Sequence, residues 1–382
     1  MKNKPFYFSL FVGSCLIITV LLIIQQYQSA FENSKVYAST NLPTSSIKLP
    51  GKEITEKITV GAIGDVLIHD WIYNDAKRGN SYDFHPIFQN VKGMLQKPAL
   101  VTANQESILG GKALGISGYP EFNSPQEVAD AVMDSGVDIV STANNHSYDK
   151  GERGIQSQSN YLDKIGLKHV GSFTSEKDRN TLRVIESHGI KVAFLAYTFG
   201  TNGIRIPANK SYLVNIINKD LMKKEISRAR LDADVVIMSI HWGKEYERYP
   251  SAAQKELAHF LANEGVDIIF GSHPHVLQPM EWITARDGRK VLAVYSLGNF
   301  LSGQVRDYKD IGGLATVDIT KSTTKNGNKI QLSNPLFYPT YVTQKHFKLY
   351  KVVPLEKAAS FGLSHADVKY REIQAFMKQW IH

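Results

Sequence analysis

Five short apolar runs in this chain each stop at a small cluster of side chains able to bind a metal. They are Ile58-Thr-Val-Gly-Ala-Ile-Gly-Asp65, Ala99-Leu-Val-Thr-Ala-Asn104-Gln-Glu106, Asp138-Ile-Val-Ser-Thr-Ala-Asn144-Asn145-His146, Val235-Val-Ile-Met-Ser-Ile-His241-Trp-Gly and Asp267-Ile-Ile-Phe-Gly-Ser-His273-Pro-His275. Their length and β-branched content are those of fully buried parallel strands. In an open parallel sheet, ligands gather outside the carboxyl ends of the strands. The five clusters are therefore expected to meet in space although they are far apart along the chain. A site of Asp, Glu, Asn and three His is first of all a metal site.

Between and beyond these runs, strands and helices are expected to alternate, as in an α/β layered domain. Helices are predicted over 125–135, with Ser124 as N-cap, and over 152–165, 220–231 and 251–264. Gly136 and Gly265 stop two of them, and each is followed by Val-Asp-Ile and another strand. Further strands are predicted near 184–185, 192–197, 276–283 and 291–295. From about Gly312 the pattern changes to strands over 314–319 and 330–338 around an Asn326-Gly327 turn. A final amphipathic helix is predicted over 366–381.

The N-terminus reads differently. Lys2 and Lys4 precede an apolar stretch from Phe6 to Ile24. At helical rise that stretch is about 28 Å long, close to bilayer thickness. Positive charge in front of it predicts a single-pass anchor over 1–27, a cytoplasmic N-terminus and an extracellular main domain. Cleavage after Val36-Tyr37-Ala38 is the competing expectation, set back by its distance from the apolar run. Residues 28–56, rich in Ser, Thr, Asn, Lys and Pro, read as a flexible stalk. The core is then expected over 57–311, completed by the strands and helix of 312–382.

Composition narrows the function classes. The net charge of +8 is spread along the chain, which argues against a nucleic-acid binder. The single cysteine, Cys15, lies in the apolar stretch, so the main domain has neither a disulfide nor a zinc–thiolate site. Ligands must come from His, carboxylates and amides. Asp65, Glu106, Asn145, His241, His273 and His275 are the candidates. Glu106, with two oxygens, could bridge two cations. Proline restricts the residue before it to extended backbone, and histidines two apart in extended chain face one side, so His273 and His275 can both serve one site. His146, adjacent to Asn145, points elsewhere and suits an acid or an anion-binding group. Asp149 could orient it, or could instead cap a helix. His69 reads equally as a ligand or a surface histidine. Asn104 shares its strand end with Glu106. Trp242, Glu245 and Tyr246 follow His241, and the aromatics could line a cleft or pack in the core. Ser296 and Asn299 could bond substrate or the ligands, or form a structural turn. Mixed N/O donors suit Mn²⁺, Zn²⁺ or Fe, one ion or two.

These stretches resemble the CapA family of poly-γ-glutamate capsule biosynthesis proteins, also called PgsA. The resemblance runs through Gly64-Asp65-Val66, Asn104-Gln105-Glu106, Ala143-Asn144-Asn145-His146, His241-Trp242-Gly243-Lys244-Glu245-Tyr246, Gly271-Ser272-His273-Pro274-His275-Val276 and Tyr295-Ser296-Leu297-Gly298-Asn299-Phe300. It implies a membrane-bound, outward-facing component of capsule synthesis or export. It also implies as partners an anionic polymer such as poly-γ-glutamate and membrane capsule-synthase subunits. That family is in turn similar to calcineurin-like metallophosphoesterases, with a four-layer α/β/β/α sandwich. On that pattern the six candidate ligands match ligand positions and His146 the proton donor. Two positions depart from it: Leu67 stands where a histidine is usual, and Glu106 replaces the usual bridging aspartate.

Overall fold

The computed structural model describes residues 54–325 and 327–381. The expected anchor and residues 28–53 of the stalk lie outside the described residues. Ile54–Glu56, the end of the stalk by composition, are the first residues of strand β1 (Ile54–Leu67). No helix among the described residues is long and apolar enough to cross a membrane.

The apolar runs do not join one open sheet. They divide between two. β1, β4 (Leu100–Gln105), β5 (Ile139–Ser141) and β6 (Lys168–Val170) run parallel in the first; β2 (Lys77–Arg78) and β3 (Ser81–Tyr82) form a separate hairpin. β7 (Arg183–Ser187), β8 (Ile190–Thr198), β9 (Val235–His241), β10 (Ile268–Ser272), β11 (Leu277–Thr284) and β12 (Lys290–Leu297) make the second sheet, in the order β11-β12-β10-β9-β8-β7. Its four inner strands are parallel and its two edges antiparallel. β13 (Asn299–Ser302) pairs with the end of β1. β14 (Ile311–Thr324), β15 (Gly327–Lys345) and β16 (Lys348–Pro354) extend the first sheet antiparallel from β1.

Alternation along the strands explains the layering. Val235 and Ile237 of β9 and Ile268 and Phe270 of β10 pack against Ile58, Val60 and Ala62 of β1, filling the space between the sheets. Their neighbours Val236, Met238, Ile240 and Ile269 turn the other way, onto Met222, Ile226, Leu261 and Ala262 of the helices Lys219–Asp232 and Ala252–Glu264. Ile63, Val101 and Val140 likewise leave the first sheet for Ile72, Leu95, Val128 and Leu162. Burial on both faces is why these strands read as unbroken apolar runs.

Helix ends follow the sequence in part. Ser251 forms a capping box with Gln254, and Gly265 closes that helix at φ +119°. Ser124, expected as an N-cap, instead donates to Ser107 Oγ (2.7 Å), and its helix starts at Glu127 without a side-chain cap. At the end of β1, Gly64 permits a close approach: a Cβ there would overlap the Gly298 carbonyl oxygen, which accepts from Asp65 N at 2.9 Å. The turn between β12 and β13 thus grips β1 where Asp65 leaves it.

Candidate metal centre

The strand ends of the two sheets converge. Asp65 is paired in register with Asn104, and Ser272 with His241. Asp65, Glu106 and His241 carry ligand atoms all within 4.8 Å of one another, and so do Glu106, His273 and His275. All five side chains are buried, and Glu106 belongs to both groups. Asn145 joins them: its Oδ1 lies 2.8 Å from His241 Nε2. Residues from β1, β4 and β5 of one sheet thus face residues from β9 and β10 of the other.

The histidine pair is not held as the sequence suggested. His273 has φ +97° and His275 φ +58°, so the segment is a strained bend and not extended chain, despite Pro274. Strain of this kind persists only where surrounding contacts fix it. Here Asp65 Oδ2 receives His273 N at 3.4 Å and lies 3.3 Å from His275 Nδ1, while Asn299 Oδ1 lies 3.0 Å from that same Nδ1.

Electrostatics make the cluster costly as it stands. Neither oxygen of Glu106 has a hydrogen-bond partner, nor do Asn104 Oδ1 and His273 Nδ1, though all four are buried. Burial, then the neighbouring Asp65 carboxylate, holds the Glu106 carboxyl well above its ordinary range. Burial pulls His275 down, but Glu106 and Asp65 reverse this and push it up to about 9. Burial and the other histidines lower His241 strongly, and burial with His275 brings His273 down to about 4. Two buried carboxyl groups crowded among three imidazoles, with polar atoms left without hydrogen bonds, suit a divalent cation. The residues present fit such an ion, and the mixed N/O donor set agrees with it.

The surrounding residues sort by position. Asn104 Nδ2 donates to Asp65 Oδ1 (2.8 Å). Asn299, through His275, and Ser272, whose Oγ is 2.8 Å from His241 Nδ1, touch the candidate ligands. His146 Nδ1 and Asp149 Oδ2 are 2.7 Å apart. Asp149 caps no helix; it also accepts from Phe122 N at 2.7 Å, and the next helix begins at Gly151 after Lys150. Glu245 is exposed, close enough to act on Glu106 and His275. Tyr246, half exposed, lies 6.2 Å from the His275 ring.

Three residues stand elsewhere. His69 is outside both ligand groups; Gly303 N donates to its Nδ1 (3.2 Å), and burial lowers it to about 4. Trp242 does not line the site: it is buried in the core behind the second sheet, donates to Tyr295 O (2.9 Å) and stacks on that ring. Ser296 accepts from Gly298 N (3.2 Å), a turn contact. Leu67 is buried, paired in register with Ser302.

Sequence reasoning missed Ser272, Phe199 and Asn202. Phe199, 46% exposed, stands 4.6 Å from the His273 ring. Asn202 Oδ1 accepts from Asn145 Nδ2 at 3.1 Å. Both follow β8, whose end carries no metal-capable side chain to draw attention.

The profile of the family "Bacterial capsule synthesis protein PGA_cap" matches residues 59–304, a span that holds all six candidate ligands. "Capsule biosynthesis protein CapA" of Bacillus anthracis is 29% identical over 260 residues, 65% of this chain and 61% of that protein. "PGA biosynthesis protein CapA" of Bacillus subtilis (strain 168) is 27% identical over 251 residues, 65% of this chain and 64% of that one. The matched region thus spans less than two thirds of either relative. Among solved structures, the NAD nucleotidase of Haemophilus influenzae matches with a TM-score of 0.45 and 11% identity, over 84% of this chain and 60% of that one, too distant a likeness to carry an inference. With a family profile over well more than half its length, the chain belongs to the bacterial capsule synthesis protein family PGA_cap.

Proposed function

We propose that this protein is a membrane-anchored, outward-facing component of poly-γ-glutamate capsule synthesis or export, built around a divalent-metal centre of calcineurin-like metallophosphoesterase type. One observation carries the metal reading: Glu106, fully buried, with neither oxygen hydrogen-bonded and Oε1 3.6 Å from both His241 Nε2 and His275 Nε2, is common to two ligand groups. Family membership and the relatives' names support the capsule reading. The lysine-led apolar stretch before residue 25 supports the anchor. Partners on this reading are the anionic polymer and membrane capsule-synthase subunits.

Asp65, Glu106, Asn145, His241, His273 and His275 would hold one or two ions of Mn²⁺, Zn²⁺ or Fe. When bound, such ions supply Lewis-acid polarisation of a substrate oxygen. The chain's own groups do the rest. Asn104 and His273 N fix the two Asp65 oxygens, Asn299 turns His275, and Ser272 turns His241. His146 commits Nδ1 to Asp149, which leaves Nε2 to deliver or accept a proton.

That His146–Asp149 pair, buried beside the candidate ligands, favours a second reading: an extracellular metal-dependent hydrolase of a phosphoester or polymer bond. Two experiments test the readings. Deleting the gene in a polymer-producing strain is expected to remove surface polyglutamate, and a strain complemented with His273→Ala/His275→Ala to stay bare; unchanged polymer after deletion contradicts the capsule role. Turnover of phosphoesters or polyglutamate by the purified protein should vanish in the double variant, and undiminished turnover contradicts the hydrolase.

A further inference from the structure

An amide ligand poses a problem that a carboxylate or imidazole does not. Only its oxygen binds a cation, and a half-turn about the last side-chain bond presents the NH₂ group instead. Asn145 needs something that selects its oxygen face. Its Oδ1 points to His241 Nε2 at 2.8 Å, and its Nδ2 is taken up by Asn202 Oδ1 at 3.1 Å.

Asn202 is built to do this from outside the strand-end pattern. It sits with Gly203 in a tight turn, where Ile204 N donates to Thr201 O at 2.9 Å. Both central residues have positive φ, +50° at Asn202 and +80° at Gly203. That is the backbone of a type I′ turn, for which Asn-Gly is the preferred pair. Thr201 Oγ1 also donates to Ile204 O at 2.7 Å, pinning the turn a second time. The turn follows β8 of the second sheet, whereas Asn145 follows β5 of the first, so Asn202 fastens a candidate ligand across the cleft between the sheets. Its own amide nitrogen lies 3.4 Å from His146 Nδ1, beside the Asp149 contact. One side chain therefore touches both Asn145 and His146.

We propose that Asn202 is a positioning residue for the metal centre: by accepting from Asn145 Nδ2 it holds the Asn145 oxygen toward the ion. This rests on the metal reading given above. Asn202 itself need not touch ion or substrate. Partners that orient ligands typically contribute 10–100-fold to metal affinity.

The test uses the full chain, stripped of metal and titrated with Mn²⁺ by equilibrium dialysis. Asn202→Gly removes the amide while keeping the left-handed backbone. Asn202→Asp keeps an acceptor oxygen. The expected result is Mn²⁺ binding about 10–100-fold weaker in Asn202→Gly, with the metal-free protein still folded by circular dichroism, and Asn202→Asp binding clearly more tightly than Asn202→Gly. Unchanged affinity in Asn202→Gly overturns the proposal, and so does Asn202→Asp binding as weakly as Asn202→Gly. Failure of the unsubstituted protein to bind Mn²⁺, Zn²⁺ or Fe²⁺ at all overturns the metal reading itself, and the proposal with it.

Discussion

Replacing Glu106 by glutamine should separate stability from metal binding. The carboxylate is fully buried, both oxygens lack a hydrogen-bond partner, and Asp65 stands beside it. An unmatched buried polar group costs about 1–3 kcal/mol. Glutamine keeps the shape, removes the ionisable group and offers an NH₂ that can donate to Asp65. In chelator, Glu106→Gln is therefore expected to be as stable as the original protein, or more stable by up to about 1–3 kcal/mol. With an ion the order reverses. A cation at one hundred times its Kd stabilises the folded state by about 2.7 kcal/mol. Because Glu106 lies in both ligand groups, the variant should retain less than about 1 kcal/mol of that gain at the same Mn²⁺ concentration. Urea unfolding with and without Mn²⁺ measures both quantities. A variant destabilised by more than about 2 kcal/mol in chelator would refute the claim that the side chain is held at a cost. A variant gaining as much from Mn²⁺ as the original would refute its role as shared ligand.

Mn²⁺ affinity should rise with pH up to about 9, because the raised Glu106 and His275 must both lose protons to ligate; a flat profile by calorimetry contradicts this. Trp242→Ala should cost about 3–5 kcal/mol in urea unfolding, as expected for a core tryptophan, and a loss below about 1 kcal/mol would return Trp242 to the cleft. Gly64→Ala should cost about 1–3 kcal/mol by forcing β1 away from the Gly298 carbonyl and should weaken metal binding through Asp65; unchanged melting contradicts that close approach.

Much of the site could be read from the sequence because burial on both strand faces leaves an unbroken apolar run, and the cluster of metal-capable side chains just past it marks the strand end. That logic located Asp65, Glu106, Asn145, His241, His273 and His275. It could not assign runs to sheets, since periodicity carries no partner information; that two sheets face each other was expected only through the family resemblance and its four-layer sandwich. The rule for residues before proline also failed at His273, whose φ of +97° is imposed by tertiary contacts around Asp65. β16 went unseen because Lys348, Leu349 and Lys351 are exposed and break its apolar pattern. Asn202 announces a turn through Asn-Gly, but nothing local announces Asn145 as its partner. Sequence left Trp242 between cleft and core; because consecutive strand-end residues point to opposite faces of the sheet, it packs in the core behind His241.

The most direct test is bound transition metal per chain, by elemental analysis of the purified protein after exposure to Mn²⁺, Zn²⁺ and Fe²⁺. One or two ions per chain, lost in His273→Ala/His275→Ala while the fold is kept, is the result this account predicts. No bound ion after such exposure would contradict it.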